Sequence, residues 1–476
     1  MLWHRATTSR LQKRMAQAGS YAEWARLAVE HDHESGMEDW RRNEVSSEYD
    51  YRTVRQRFER LRGMRTAGSY ANLMFALNEG IHGNLAGMGR AALYSHAQMG
   101  TKYLIHEYIE EVCQSLEALD QLDDKVIPLA ERKDFFLRAS HCFGRTALML
   151  SGAAMLGYFH VGVLMALLNE GLLPAIISGS SAGSLIAAIV CTHGDEELAQ
   201  KLDPEWLAML PNGRKRGHGW MQIVDAATLL RYVERLVPDL TFAESLAISG
   251  RHLNITVTGL EPRQAPRLLN AITAPNVLVR SAVMASCSIA GIFPPATLQA
   301  KNASGQKVAY LPEQQWIDGS FSDDLPSKRL GRLYGVNHFI SSMANPAALI
   351  LTPNPNARRN LIQYVLEQQI RLGKGVATQA LRFGRDHLRL RNRTLARLQH
   401  LSYSTLVQDY TADINIFLGK RWHSPLKLLR PLPLAEMKLL VHEGEVSTWE
   451  RMEMVRSCTA ISRTLDNILS KRGWAV

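Results

Sequence analysis

The chain of 476 residues and 53.3 kDa is long enough for about three domains and a sizeable hydrophobic core. Its 46% hydrophobic and 21% charged residues are close to the average of globular proteins, which excludes a wholly disordered or a fibrous chain. The net charge of +10 and the pI near 9.4 favour an anionic partner, either a phospholipid surface or a nucleic acid.

The cysteines and the N-terminus indicate the cellular compartment. Five scattered cysteines include no Cys-x-x-Cys pair; they are Cys113, Cys142, Cys191, Cys287 and Cys458. An odd, scattered set predicts neither a disulfide framework nor a cysteine-based zinc site, and it favours a reducing, intracellular compartment. Charged residues interrupt any apolar segment near the N-terminus, so no signal peptide is predicted.

Three regions differ in their sequence pattern. Residues 1–144 show apolar residues at helical spacing, which predicts an N-terminal helical domain. Within it, Ser46 and Ser47 with Asp50 are typical of a helix start before the basic run 52–62. Residues 145–346 alternate short apolar runs, small-residue turns and helical patterns, which predicts an α/β fold with a mostly parallel sheet flanked by helices. Residues 347–476 are predicted to form a basic, mostly helical C-terminal region.

One uncharged segment, Leu172 to Thr192, is long enough at 21 residues to cross a membrane. It contains Pro174 and the small polar cluster SGSSAGS, which a membrane-spanning helix would not favour. The favoured interpretation is therefore a strand, a tight turn and a buried helix.

The turn in this segment reads Gly179-Ser180-Ser181-Ala182-Gly183, a GxSxG motif between a predicted strand and a predicted helix. A nucleophile on such a strained turn needs small residues two positions before and after it, which Gly179 and Gly183 supply. The helix that begins here directs free N–H groups and the positive end of its dipole toward the reacting centre. The motif predicts Ser181 as a nucleophile, and a plain small-residue turn is the alternative.

Two further turns also follow strand-like runs. The segment SGAAMLG at 151–157 is a glycine-containing turn whose backbone N–H groups could bind an oxyanion. The segment WIDGS at 316–320 places the carboxylate of Asp318 at the end of another strand, where it could act as a base. Each signal alone is also compatible with an ordinary turn.

This order of glycine turn, GxSxG and Asp-Gly resembles the patatin-like phospholipase family over roughly residues 146–346, and that family uses a Ser–Asp dyad without histidine. The segment 285–295 (ASCSIAGIFPP) also resembles a family segment near the substrate pocket. Segments 77–85 and 403–420 are similar to the branch of yeast lipid-droplet and plant oil-body triacylglycerol lipases. The resemblance implies roles for eight residues: Ser181 as nucleophile, Asp318 as base, Gly152 and Ala153 as oxyanion donors, and Gly157, Gly179, Gly183 and Gly319 as motif glycines.

The implied activity is that of a serine acylhydrolase that cleaves fatty-acyl esters of triacylglycerol or phospholipid through an acyl-enzyme, without cofactor or metal. The glycine turn departs from the family's GGGxRG pattern, since Ala153, Ala154 and Leu156 replace two glycines and the arginine. Backbone donors survive these changes only where φ stays negative at the alanines. A catalytically silent lipid-surface or scaffold protein on the same fold therefore remains an alternative.

A conventional Ser–His–Asp triad is a second alternative. His160 is expected to be a packed, hydrogen-bonded histidine rather than a catalyst. Five histidines follow Asp318 in the chain and could complete such a triad: His338, His387, His400, His423 and His442.

Basic and aromatic residues predict a lipid surface as partner. The stretch 358–397 carries ten Lys or Arg and two acids, threaded by apolar residues, and the stretch 206–221 places tryptophans beside Arg214, Lys215 and Arg216. No zinc-finger, RRM-type or helix-turn-helix signature appears, so no nucleic-acid partner is expected. These features predict an intracellular protein that associates peripherally with a membrane or a lipid droplet.

Overall fold

The computed structural model describes residues 2–81, 83–208, 225–261, 264–290, 292–351, 410–419 and 430–474, with the single residues 379, 408 and 428. Nearly all of the basic stretch 358–397 and most of the stretch 206–221 lie outside these residues, as do residues 403–407, 409 and 420 of the stretch 403–420.

The N-terminal part is helical, as predicted, and no strand occurs among the described residues before Arg145. Its helices are α1 Leu2–Met15, α2 Tyr21–Glu34, α3 Met37–Arg42, α4 Tyr51–Thr66, α5 Tyr70–Asn78, α6 Tyr103–Asp120 and α7 Leu129–Phe143. The predicted helix start is confirmed at Asp50, whose side chain accepts a hydrogen bond from the Thr53 N–H at 3.3 Å and caps α4. Ser46 and Ser47 lie in the non-helical chain before it and do not cap α4.

A mostly parallel sheet follows, as predicted. Its strands are β1 Arg145–Leu150, β2 Ile176–Gly179, β3 His252–Gly259, β4 Arg267–Leu269, β7 Trp316–Asp318, β8 Val336–Met343 and β9 Ile414–Phe417, while β5 Leu298–Lys301 and β6 Lys307–Tyr310 pair separately. The order across the sheet is β4-β3-β2-β1-β8-β9. Strands β1, β2, β3, β8 and β9 are parallel, and β4 and β7 run antiparallel to β3. The last four residues of β1 are all buried, as expected for a parallel strand covered on both faces.

The uncharged segment Leu172 to Thr192 is not one continuous helix. It divides into β2, a turn at Ser180 and Ser181, and the helix α9 Ala182–Cys191, which confirms the favoured interpretation. No helix among the described residues is both long and apolar enough to cross a bilayer.

The helices after β1 connect and flank the strands. Besides α9 they are α8 Tyr158–Asn169, α10 Asp195–Lys201, α11 Pro204–Ala208, α12 Ala226–Leu236, α13 Phe242–Ser249, α14 Val279–Ser286, α15 Ser327–Tyr334, α16 Pro346–Leu351, α17 Leu434–Trp449 and α18 Met452–Lys471. Strand β9 extends the sheet beside β8, α17 packs along α8, and α18 contacts α6, α7 and β1. The three-part division of the chain stays a prediction, and these contacts cross both of its boundaries.

Helices α8 and α17 meet at two glycines. A Cβ atom on Gly162 would lie 1.8 Å from the carbonyl oxygen of Val441, and one on Gly444 would lie 2.2 Å from that of Phe159. Both atoms would collide with backbone, which cannot give way in a close-packed interior without separating the helices. This pair of glycines therefore sets how closely α17 approaches α8.

We expect Gly162→Ala to lower the free energy of unfolding by about 1–3 kcal/mol, because the added methyl group overpacks the crossing. Gly63→Ala in α4 is the matched control, since a Cβ there meets no atom within 4 Å. That control is expected to raise the free energy of unfolding by up to about 1 kcal/mol through the higher helix propensity of alanine. Urea unfolding followed by circular dichroism measures both, and equal effects would contradict the expectation.

Candidate active site

Ser181 lies at the turn between β2 and α9 with φ 51° and ψ −127°, a backbone conformation that non-glycine residues rarely adopt. A Cβ on Gly179 would lie 2.3 Å from the carbonyl oxygen of Gly183, and one on Gly183 would lie 2.5 Å from that of Leu150. The turn is thus too tight for a side chain at either glycine. It holds Ser181 at the N-terminus of α9, at the carboxyl end of β2.

The strand register brings Asp318 to Ser181. Along β3, Ile255 pairs with Gly179 of β2, and Val257 pairs with Asp318 of β7. The Ser181 hydroxyl lies close enough to the Asp318 carboxyl group to lower its pKa, and these residues are 5% and 1% exposed. The structure therefore unites the two residues that the resemblance pairs.

The environment of Asp318 suits a base. Burial raises its pKa from 3.8 to about 6, against the lowering effect of hydrogen bonds from Ser181 and Ser320. The Ser320 N–H donates to Asp318 Oδ1 at 2.8 Å and orients the carboxylate. A carboxylate with a pKa just below neutral is ionised at pH 7.5 and still accepts a proton more readily than an exposed one.

Two serines that were not predicted as site residues accept hydrogen bonds from the backbone of Ser181 and Asp318. The Ser181 N–H donates to Ser286 Oγ at 2.9 Å, and the Ser286 hydroxyl donates to the Thr256 carbonyl at 2.8 Å. The Asp318 N–H donates to the Ser288 carbonyl at 3.0 Å. The segment 285–295, predicted only to lie near a substrate pocket, therefore fixes the backbones of both dyad residues.

The glycine turn lies beside Ser181 but differs from expectation at Gly152. A Cβ on Gly152 would lie 3.5 Å from that of Ser181, so the two turns are within contact distance. The Gly152 N–H, however, donates to Asp324 Oδ1 at 2.7 Å and is directed at that carboxylate. The Ala153 N–H meets no acceptor among the described residues, and φ there is −146°. Of the two predicted oxyanion donors, the structure leaves Ala153 available.

The remaining motif glycines also mark close approaches. A Cβ on Gly157 would lie 3.1 Å from that of Ala182, and a Cβ on Gly319 would lie 2.2 Å from the Thr256 carbonyl oxygen. Gly157 thus lets the glycine turn approach α9, and Gly319 lets the Asp318 loop approach β3.

Ala154, which follows the available donor, has a φ of 48°. Left-handed backbone costs a non-glycine residue roughly 1–2 kcal/mol. We expect Ala154→Gly to raise the free energy of unfolding by up to about 1 kcal/mol, after the larger entropy of an unfolded glycine is subtracted. Ala153→Gly is the control, because φ is negative there, and it is expected to lower the same quantity. Thermal and urea unfolding measure both, and a destabilising Ala154→Gly would contradict the strain.

No described histidine completes a triad. His160 is buried, with Nε2 2.9 Å from the Ser151 carbonyl and Nδ1 2.7 Å from Ser342 Oγ, and burial lowers its pKa to about 4. This agrees with the expectation of a packed, hydrogen-bonded histidine. His338 contacts Thr146 near the start of β1, and His442 contacts the carbonyl of Ala16. The other three candidate histidines, His387, His400 and His423, lie outside the described residues.

This chain is similar to several curated proteins named as triacylglycerol lipases. The chain is 31% identical to triacylglycerol lipase ptl3 of Schizosaccharomyces pombe, over 95% of each chain. It is 31% identical to triacylglycerol lipase 4 of Saccharomyces cerevisiae and to triacylglycerol lipase SDP1L of Arabidopsis thaliana, over 95% and 96% of this chain. It covers 52% and 58% of those two relatives, which is little more than half of their length.

Two family models match the chain. Residues 1–141 match DUF3336, a domain of unknown function, and residues 148–329 match the patatin-like phospholipase model. The second match includes the turns that hold Ser181 and Asp318. With identity over nearly the whole length of a relative, it shows that this chain belongs to the patatin-like phospholipase family.

Proposed function

We propose that this chain is a serine acylhydrolase in which Ser181 attacks the carbonyl carbon of a fatty-acyl ester. As the Oγ–C bond forms, the hydroxyl proton moves to Asp318, and the negative charge moves to the former carbonyl oxygen. Collapse of this intermediate breaks the ester bond, and the leaving alcohol takes the proton from Asp318. Water then attacks the acyl-enzyme by the same steps and releases the fatty acid. The proximity of the Ser181 hydroxyl to the buried carboxyl group of Asp318, whose pKa is raised, carries this proposal.

The N–H of Ala153 and the N-terminus of α9 are the groups that support the oxyanion in this proposal. A preorganised donor typically contributes about 3 kcal/mol to transition-state stabilisation. Because Ala153 N–H is not used elsewhere among the described residues, it can bind the oxyanion without first breaking a bond.

Triacylglycerol is the proposed first substrate and phospholipid the second. A relative that matches this chain over 95% of both lengths is named a triacylglycerol lipase, and the matching family model is named patatin-like phospholipase. Product analysis by mass spectrometry with triolein, phosphatidylcholine and lysophosphatidylcholine side by side tests this order, with Ser181→Ala as the blank. Release of oleate and diacylglycerol by the wild type alone is the expected result. No product from any of the three lipids would favour the catalytically silent alternative.

We propose that the protein meets this substrate peripherally, at a membrane or lipid-droplet surface. The basic stretch 358–397, with ten Lys or Arg against two acids, supplies the charge for anionic headgroups. Flotation with vesicles of phosphatidylcholine and phosphatidylserine is expected to fall as salt rises from 50 to about 500 mM, since salt screens exposed charges. Charge reversal of the arginines in 382–393 should reduce flotation at low salt, and salt-insensitive binding would contradict the proposal.

A further inference from the structure

A second carboxylate joins the elements of the site without belonging to the dyad. Asp324 is 1% exposed and lies six positions after Asp318. Its Oδ1 atom accepts hydrogen bonds from the Gly152 N–H at 2.7 Å and from the Ser180 hydroxyl at 2.6 Å. Its Oδ2 atom accepts one from Asn345 Nδ2 at 2.8 Å. One side chain thus links the glycine turn, the nucleophile turn and the segment that follows β8.

We propose that Asp324 is a positioning residue, which sets the oxyanion turn against the Ser181 turn by accepting hydrogen bonds from Gly152 and Ser180 on one oxygen atom. The inference rests on the proposed function, because it takes Ser181 as the nucleophile and Ala153 as the oxyanion donor. It assigns no contact between Asp324 and the substrate.

The chemistry of the three partners explains why an acid occupies this position. An amide N–H and the NH₂ group of an asparagine can only donate, and the Ser180 hydroxyl is directed to donate as well. An ionised carboxylate accepts all three bonds, and charge-assisted bonds of this kind are roughly twice as strong as neutral ones. Without them a buried charge would be costly, so the charge and the placement of the turn depend on each other.

The same bond fixes the neighbouring donor. Because Gly152 N–H is held by Asp324, the peptide that follows, which carries Ala153 N–H, has one end anchored beside Ser181. The loop that carries Asp324 is itself held, since Gln408 Oε1 accepts from the Asp324 N–H at 2.8 Å and Gln408 Nε2 donates to the Ser320 carbonyl at 3.1 Å. Loss of the Asp324 carboxylate should therefore misplace the oxyanion donor while leaving the dyad bonded.

Asp324→Asn is the first test, with p-nitrophenyl butyrate as substrate. Asparagine offers one acceptor oxygen and no charge, so one of the three hydrogen bonds is lost, and a bond that remains to Gly152 is weaker than the charge-assisted one. We expect kcat to fall about 100-fold with KM changed less than about threefold, as for loss of one oxyanion donor. The affinity for an alkyl trifluoromethyl ketone, whose adduct with Ser181 carries an oxyanion, should fall in parallel. Asp323→Asn, which removes the adjacent carboxylate paired with Arg329, is the control and should leave both unchanged.

A double variant separates positioning from general loss of structure. In Asp324→Asn with Asn345→Asp, the amide and the carboxylate exchange places, and all three hydrogen bonds can form again. Recovery of kcat to within about tenfold of the wild type supports the proposal, even where the single variant does not fold. A folded double variant as slow as the single one, or a single variant with wild-type kcat, overturns it. Failure of the proposed acylhydrolase function would give a different result, because the wild type itself would then show no activity.

Discussion

Asp318→Asn is expected to lower kcat for p-nitrophenyl butyrate about 10⁴-fold, the size of effect seen when a buried catalytic aspartate becomes an amide. The amide keeps the shape of the side chain, and its oxygen can still accept the Ser320 N–H. It cannot take the Ser181 proton, so the attacking oxygen remains a weak nucleophile. Single-turnover measurements of p-nitrophenol release give the rate of acylation directly.

The control for this prediction is a double-mutant cycle with Ser181→Ala. Because the two residues act as one unit, Ser181→Ala with Asp318→Asn should be no slower than Ser181→Ala alone. Asp323→Asn tests the removal of a nearby, partly exposed carboxylate and should keep wild-type kcat. Independent, additive losses in the cycle would contradict a shared proton-transfer role, and an active Ser181→Ala would remove the nucleophile assignment.

Local sequence patterns predict the elements that carry the dyad. The apolar run before Gly179, the small residues around Ser181 and the uncharged helix after it are contiguous in the chain, and the structure shows them as β2, a turn and α9. The apolar run that ends at Asp318 is also contiguous in the chain and forms β7. Short-range sterics and burial decide such features, so they can be recognised without knowledge of the fold.

Contacts between residues far apart in the chain cannot be predicted from local sequence patterns. Nothing in the run Asp323-Asp324 distinguishes the partly exposed acid from the buried one, which is bound by residues 172, 144 and 21 positions away. Ser286 supports Ser181 from 105 positions away. The spacing of a motif cannot report such distances, because the fold creates the contact. For the same reason, the sequence could not show that Asp324 binds the Gly152 N–H, which was predicted to be an oxyanion donor.

The pH dependence of kcat/KM is expected to follow the ionisation of the buried carboxylates. Asp318 must be ionised to accept the Ser181 proton, and its pKa is raised to about 6 by burial. Burial also raises the pKa of Asp324 to about 7, with a further contribution from the charge of Asp318. For p-nitrophenyl butyrate, which does not ionise, we expect kcat/KM to fall at least about tenfold per pH unit below pH 6. A constant kcat/KM from pH 8 to 5 would contradict Asp318 as base.

The stability of the fold should depend on pH in the opposite direction. Below pH 3.8 Asp318 is protonated in both folded and unfolded chains and contributes nothing. Between pH 3.8 and about 6 the folded chain keeps a proton that the unfolded chain releases, so the free energy of unfolding decreases as pH rises. Above pH 6 the free energy of unfolding stays lower by the full amount, up to about 3 kcal/mol.

Asp318→Asn removes this cost together with the activity. At pH 8 the variant is therefore expected to unfold at higher urea concentration than the wild type, and near pH 3.5 the difference should vanish. Asp323→Asn, on a group that is partly exposed, should show a much smaller change. Equal urea midpoints for wild type and Asp318→Asn at pH 8 would contradict the raised pKa. The same buried charge that prepares the dyad for proton transfer thus lowers the stability of the fold that holds it.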